Sequence, residues 1–211
     1  MTDLSHLMTN GMPVFPGSKP VIIESAASMD SKGYNELRLT ISGHNGTHID
    51  CGLHVIDGGF DTGSSPVQRF YGKGILIDCT GIGPVISANK IRTHENRIKR
   101  AEFVLLYTGW SRFWGESEYF GEFPVLNDEA AALMASFQLK GIGVDAPSFD
   151  PVNSTALPVH HKFLSAGIIL IENLTNLKSV DADEFIFCCL PLKIKDGDGS
   201  PVRAVAIINE M

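Results

Sequence analysis

The chain has 211 residues, of which 44% are hydrophobic and 19% charged, and its formal net charge is -7. That is enough apolar material for a packed core and argues against disorder. The acidic balance leaves no basic stripe to meet phosphates, so nucleic acid is excluded as an expected partner.

In chain order, the opening segment MTDLSHLMTN lacks the charged and apolar regions of a signal peptide. No apolar run approaches the roughly 20 residues needed to span a bilayer, so no membrane partner and a cytoplasmic location are expected. NELRLTIS (35–42) alternates as a half-buried strand should, with Leu37, Leu39 and Ile41 on one face. Denser apolar runs predict strands buried on both faces. They are GILIDCTG (74–81), EFVLLYTG (102–109), KGIGVDAP (140–147), GIILIENL (167–174), EFIFCCLPLKI (184–194) and VRAVAIINE (202–210).

Helical patterns are fewer. SANKIRTHENRIKR (87–100) is polar and amphipathic, with a solvated basic face. LNDEAAALMASFQLKG (126–141) has Asn127 or Asp128 as N-cap and Gly141 as stop, and PVHHKFLSAG (158–167) predicts a short helix ending at Gly167. No linker or repeat divides the chain. The expected architecture is α/β: a single mixed, strand-rich domain over 1–211 with a few helices packed on the sheet. KDGDGSP (195–201) predicts a hairpin turn, because a calcium loop would need further ligands. Cys51, Cys79, Cys188 and Cys189 show no C-x-x-C spacing, which fits a reducing compartment, and the adjacent pair are read as small buried hydrophobes. Nucleophile-elbow, P-loop and Rossmann glycine patterns are absent.

The most informative stretch is SGHNGTHIDCGLHVIDGG (42–59), which crowds His44, His48, Asp50 and His54 together without a lysine or arginine. In extended chain these four share one parity while Ile49, Cys51, Leu53 and Val55 share the other, so the ligand-type groups can face one way as the rest packs. Full extension would put His44 and Asp50 roughly 20 Å apart at about 3.3 Å per residue. Ligand atoms on one zinc sit only about 2.0–2.2 Å from it. The chain must therefore curl, and Gly43 and Gly46 permit it. Two imidazoles and a carboxylate suit zinc, manganese or ferrous iron and do not suit calcium. The competing reading is a histidine-rich polar turn.

HNGTHIDCGLH resembles the His-x-Gly-Thr-His-x-Asp-x-Pro-x-His signature of the metal-dependent cyclase/hydrolase family, which includes bacterial kynurenine formamidases and isatin hydrolases. Collinear blocks extend the resemblance over nearly the whole chain: DLSHLMTNGMPVFPGSKP, VLLYTGWSRFW, GIGVDAPSFDP, HHKFLSAGIILIENL and LPLKIKDGDGSPVRAVAI. The resemblance implies a swivelling β/β/α-type, cyclase-like fold. It implies His44, His48 and Asp50 as ligands of a first metal, His160 and Glu172 as completing a second site with Asp50 and Glu172 bridging, and His54 as the acid/base. His161 is the rival of His160, since neighbouring helical residues point about 100° apart; the family register favours His160. The implied cofactor is Zn2+ or Mn2+, one or two ions per chain, in a homodimer or homotetramer acting on a small molecule.

The implied chemistry is cleavage of a small amide C–N bond by metal-activated water, as in an arylformamidase. Ring opening of a cyclic amide or lactone is the alternative within the family, and a non-catalytic metal-binding module the alternative outside it. Phe15, Trp110 and Phe120 are candidates for an apolar wall, with core packing the commoner role for any one of them. Two departures stand out: Gly52 replaces the signature's proline, which would loosen the loop carrying His54, and Phe15 stands where kynurenine formamidases have tryptophan in the substrate pocket.

Overall fold

In the computed structural model, which describes residues 1–208, the dense apolar runs form the middle of a nine-stranded sheet. The strands are Thr2–Asp3 (β1), Ile22–Ala27 (β2), Glu36–Thr40 (β3), His48–Asp50 (β4) and Tyr71–Asp78 (β5). Val85–Ile86 (β6), Phe103–Tyr107 (β7), Val125–Leu126 (β8) and Gly141–Val144 (β9) follow. Ile169–Glu172 (β10), Phe185–Cys188 (β11), Gly199–Pro201 (β12) and Val205–Ile207 (β13) come last. The helices are Met29–Lys32 (α1), Ala88–Arg92 (α2), Glu95–Ile98 (α3), Asp128–Ala135 (α4) and Pro158–Ser165 (α5).

The large sheet runs β1-β13-β11-β5-β7-β9-β10-β4-β12. Strands β5, β7, β9 and β10 are parallel neighbours, and antiparallel strands flank them on both sides. Alternation along the strands feeds two cores. Val104, Leu106 and Leu170 join Ile91, Met134 and Phe163 of the helices on one face. Phe103, Leu105, Ile169 and Ile171 join Leu4, Ile49 and Phe187 on the other. Burying both faces explains why these runs are apolar throughout. The mixed, strand-rich α/β architecture with helices on the sheet is the expected one.

Several expectations change. The helix predicted over 87–100 is two short helices, α2 and α3. The Thr93 hydroxyl donates to the Lys90 carbonyl at 2.7 Å, offering the backbone an alternative to helix continuation. The helix expected to stop at Gly141 stops at Ala135, where Ser136 Oγ donates to the Leu133 carbonyl. Asn127 is its cap. β3 is a strand but not half-buried: Leu37 and Leu39 are 65% and 56% exposed, and it pairs only with β2 in a separate ribbon.

β11 exposes Ile186, so it is not buried on both faces. Cys189 is buried while Cys188 is only partly so, because consecutive extended residues point opposite ways. All four cysteines are free thiols. Residues 209 and 210 of the strand expected over 202–210 lie outside the described residues. Among the described residues no helix is long and apolar enough to cross a membrane.

Candidate metal centre

The ligand-type side chains meet where β4 crosses from the turn after β3 onto β10. His48 is the cross-strand partner of Glu172, and Asp50 that of Leu170, so His48, Asp50 and Glu172 share one face while Ile49 and Ile171 fill the core on the other. The parity expected for 42–55 holds only over these strand residues. Before them the chain curls, with Gly46 in the left-handed region at φ +65°, and His44 enters from the turn. After them a 3-10 turn over Gly52–His54 delivers His54.

Backbone hydrogen bonds hold the loop carrying His54. Leu53 and His54 donate to the Phe60 and Cys51 carbonyls, and Ile56 donates to that of Gly52. A Cβ at Gly52 would lie 2.8 Å from both the ring and the backbone nitrogen of Phe60, so Phe60 demands the glycine. His160, in the first turns of α5, is buried against the cluster, whereas His161 is exposed.

His44 Nδ1 lies 2.6 Å from Asp50 Oδ1, and His48 Nε2 lies 3.3 Å from the same oxygen. His48 Nε2 is 3.5 Å from Glu172 Oε2, and His160 Nε2 is 3.2 Å from Glu172 Oε1 and 3.5 Å from Asp50 Oδ2. Ligand atoms of His44, His48 and Asp50 lie within 4.8 Å of one another, as do those of Asp50, His54 and His160. Asp50 Oδ2 is buried without any hydrogen-bond partner. A buried carboxylate oxygen left unpaired is costly, and imidazoles and carboxylates are the donors that first-row divalent cations take. The residues present therefore fit a divalent cation.

The acids and imidazoles of the cluster shift one another's protonation. Burial works against protonating His44, but Asp50 and Asp198 outweigh it and raise the imidazole to about 9. His160 is likewise raised, since Asp150, Asp50 and Glu172 overcome its burial. Burial would lift Asp50, yet the surrounding histidines hold its carboxyl well below the usual range. His54 is lowered, chiefly by burial, and so stands neutral near pH 7.

Partners on the far nitrogens orient the rings. His160 Nδ1 lies 2.7 Å from Asp150 Oδ2, and the same carboxylate accepts the backbone N–H groups of Val159 and His160 at the start of α5. His48 Nδ1 faces the Gly46 carbonyl at 2.8 Å. That carbonyl also accepts from Asn173 Nδ2, and Asn173 Oδ1 accepts from the buried Tyr119 hydroxyl. Asp150, Asn173 and Tyr119 carry no signal of their own in the sequence; a loop acid shows no period that betrays burial.

Above the cluster lies a cavity of about 300 Å³, with Phe15, Phe120, Trp114, Val14 and Leu157 among its walls and His44, Asp50, His54, His160 and Glu172 at its base. Phe15 meets Phe120 edge-on at 6.0 Å. Trp110 takes the core-packing role, against the helical core, and donates its indole N–H to the Tyr119 carbonyl. Trp114 lines the cavity and stacks on His6 at 3.9 Å. No lysine or arginine lines the cavity among the described residues.

A family model described as "Putative cyclase" matches residues 2–151. A kynurenine formamidase of Bacillus mycoides (strain KBAB4) is 33% identical over 204 residues, covering 96% of this chain and 95% of that protein. A predicted metal-dependent hydrolase from Bacillus stearothermophilus superposes with TM-score 0.81 at 29% identity, covering 97% of this chain and 96% of that one. An isatin hydrolase bound to the product analogue thioisatinate superposes with TM-score 0.89 over 99% of this chain and 92% of that one; at 23% identity this likeness speaks to the fold.

Proposed function

The chain belongs to the metal-dependent cyclase/hydrolase family that includes bacterial kynurenine formamidases, and from that premise we propose that His44, His48, Asp50, His160 and Glu172 hold its cation. The protein is a metal-dependent hydrolase of non-peptide C–N bonds, of the arylformamidase kind. The observation that carries the residue assignment is the Asp50 carboxylate: its Oδ1 faces His44 and His48, while its Oδ2, buried without a hydrogen-bond partner, faces His160, which also meets Glu172. Zinc or manganese, at one or two ions per chain, suits this nitrogen-and-carboxylate set.

A divalent cation so held supplies Lewis acidity, polarising a carbonyl and lowering the pKa of water from 15.7 toward about 7. The protein's own contribution is orientation and proton movement. Phe15, Phe120 and Trp114 flank an aryl group and exclude water from around it. His54, neutral because burial lowers it, takes a proton and returns it to the departing nitrogen. Its Nδ1 lies on the Asp198 side, which leaves Nε2 as the nitrogen that does this. Ring opening of an uncharged cyclic amide such as isatin is a second reading, favoured by the absence of a lysine or arginine among the described residues lining the cavity.

A homodimer or homotetramer is proposed on the β2–β3 ribbon, which exposes Leu37 and Leu39 on one face. A cytoplasmic setting is proposed on the four free thiols. Assays of the zinc- and manganese-loaded chain on N-formylkynurenine, formanilide and isatin, with elemental analysis, test the functional reading. Turnover of either formamide supports it, turnover of isatin alone shifts it to ring opening, and a chain that binds neither metal ends it.

A further inference from the structure

We propose that Asp198 is a positioning residue of this centre, fixing His44 so that its Nδ1 faces the cation and backing the ring of His54. The inference rests on the metal-centre reading above. Each of the other two imidazoles aimed at the cluster keeps its second nitrogen on a fixed acceptor: His160 on Asp150 and His48 on the Gly46 carbonyl. Such acceptors select the tautomer and hold the ring plane of a ligating histidine. For His44 the acceptor arrives from 154 positions downstream. Asp198 Oδ2 lies 2.9 Å from His44 Nε2.

The surrounding backbone is shaped for this approach. The Asp198 carbonyl accepts the Cys51 N–H at 2.8 Å, locking the residue to the exit of β4. Gly199 sits opposite Asp50 in the β12–β4 pairing. A Cβ there would come within 2.6 Å of His44 Cε1 and 2.7 Å of the Ile49 carbonyl oxygen. A Cβ at Gly43 would lie 3.1 Å from the Gly199 carbonyl oxygen. Two glycines thus face each other across the gap that lets the Asp198 carboxylate reach the imidazole. A solvent-facing hairpin turn requires no such clearance.

The same oxygen faces a second ring. His54 Nδ1 is 3.7 Å from Asp198 Oδ2, and the His44 and His54 rings lie 4.1 Å apart at 35°. One carboxylate oxygen therefore sets both a metal ligand and the group that moves the proton. With His44 Nε2–H donated to Asp198, Nδ1, on the Asp50 side, is the nitrogen that would give up its proton to a cation.

The test uses the full chain with D198N, near-isosteric but uncharged, and D198E, which keeps the charge. Zn2+ affinity is read by chelator competition, the unfolding of metal-free protein by circular dichroism, and the imidazole tautomers of the Zn2+-loaded wild type by long-range 1H–15N NMR. Expected are a roughly 10–100-fold weaker Zn2+ affinity in D198N, partial recovery in D198E, little change in metal-free unfolding, and His44 protonated on Nε2. Unchanged Zn2+ affinity in D198N, His44 protonated on Nδ1, or destabilisation of the metal-free chain shared by D198N and D198E would overturn the proposal. A wild type that binds Zn2+ while D198N matches it sinks this inference alone. A wild type that binds no Zn2+ sinks the metal-centre reading and this inference with it.

Discussion

Two carboxylate-backed histidines meet at the Asp50 carboxylate, and they are built differently. The Asp150–His160 pair is sealed, with side chains 1% and 4% exposed, and Asp150 also binds the first N–H groups of α5. The Asp198–His44 pair lies at the rim, 51% and 25% exposed, beside His54. In the interior one carboxylate serves the helix start and the imidazole together, so the site cannot be altered there without touching the fold. At the rim the groups hang from an edge strand and a tight turn, where chemistry can change while the core stays intact.

The largest expected effect belongs to the rim. His54→Ala should lower kcat by roughly 10²–10⁴-fold, the usual share of a general acid/base, with metal content and unfolding midpoint unchanged. Steady-state kinetics beside elemental analysis read both, and full activity would remove His54 from the mechanism. On the sealed side, Asp150→Ala should cost about 3–5 kcal/mol of stability, since it leaves a buried charge partner without its mate and strips the helix start. Urea unfolding of the metal-free variant measures this, with the exposed His161→Ala as a silent control. Equal losses from both would erase the contrast between sealed and exposed positions.

A histidine with no carboxylate sharpens the comparison. His6 stacks on Trp114, its Nε2 is buried without a partner, and burial lowers it to about 4 from the usual 6.5. Between these values the unfolded chain binds the proton and the folded chain does not, so stability rises with pH through that window and is lost on acidification. The slope of the urea midpoint from pH 6.5 to 4 should flatten in His6→Phe, which keeps the stack. A slope identical to wild type would contradict it. The smallest effect is expected at the wall. Phe15→Trp should raise kcat/KM on N-formylkynurenine a few-fold, on the order of 1 kcal/mol or less, through an added indole N–H. No change there, with a change on formanilide, would place Phe15 on the aryl side alone.

The difference between interior and rim also marks what the sequence revealed. The dense strands were legible because burial on both faces leaves an unbroken apolar run, and the His48/Asp50 parity because a strand alternates. His44 shares that parity only by accident of numbering; it reaches Asp50 from a turn. His160 and Glu172 were legible through family resemblance, since a lone helical histidine and a strand-end acid have no pattern of their own. Asp150 and Asp198 lie in segments the resemblance covers, Asp198 also in the KDGDGSP turn, but nothing in the sequence pairs either with an imidazole. What makes them matter is which imidazole the fold brings beside them. The Leu37 and Leu39 alternation marked a two-faced strand correctly but carried no information about what covers either face.

The pairing of β4 with β10 and β12 has a consequence for how this protein is made. The contacts that assemble the centre join residues 127 and 154 positions apart in the chain. Contacts of such separation form late, because the entropy of closing long loops is met before they contribute anything. A nascent chain that has exposed only its first third presents His44, His48, Asp50 and His54 without the groups that orient them. The side chains around Asp50 therefore take up their arrangement only once β10 and β12 have both paired with β4.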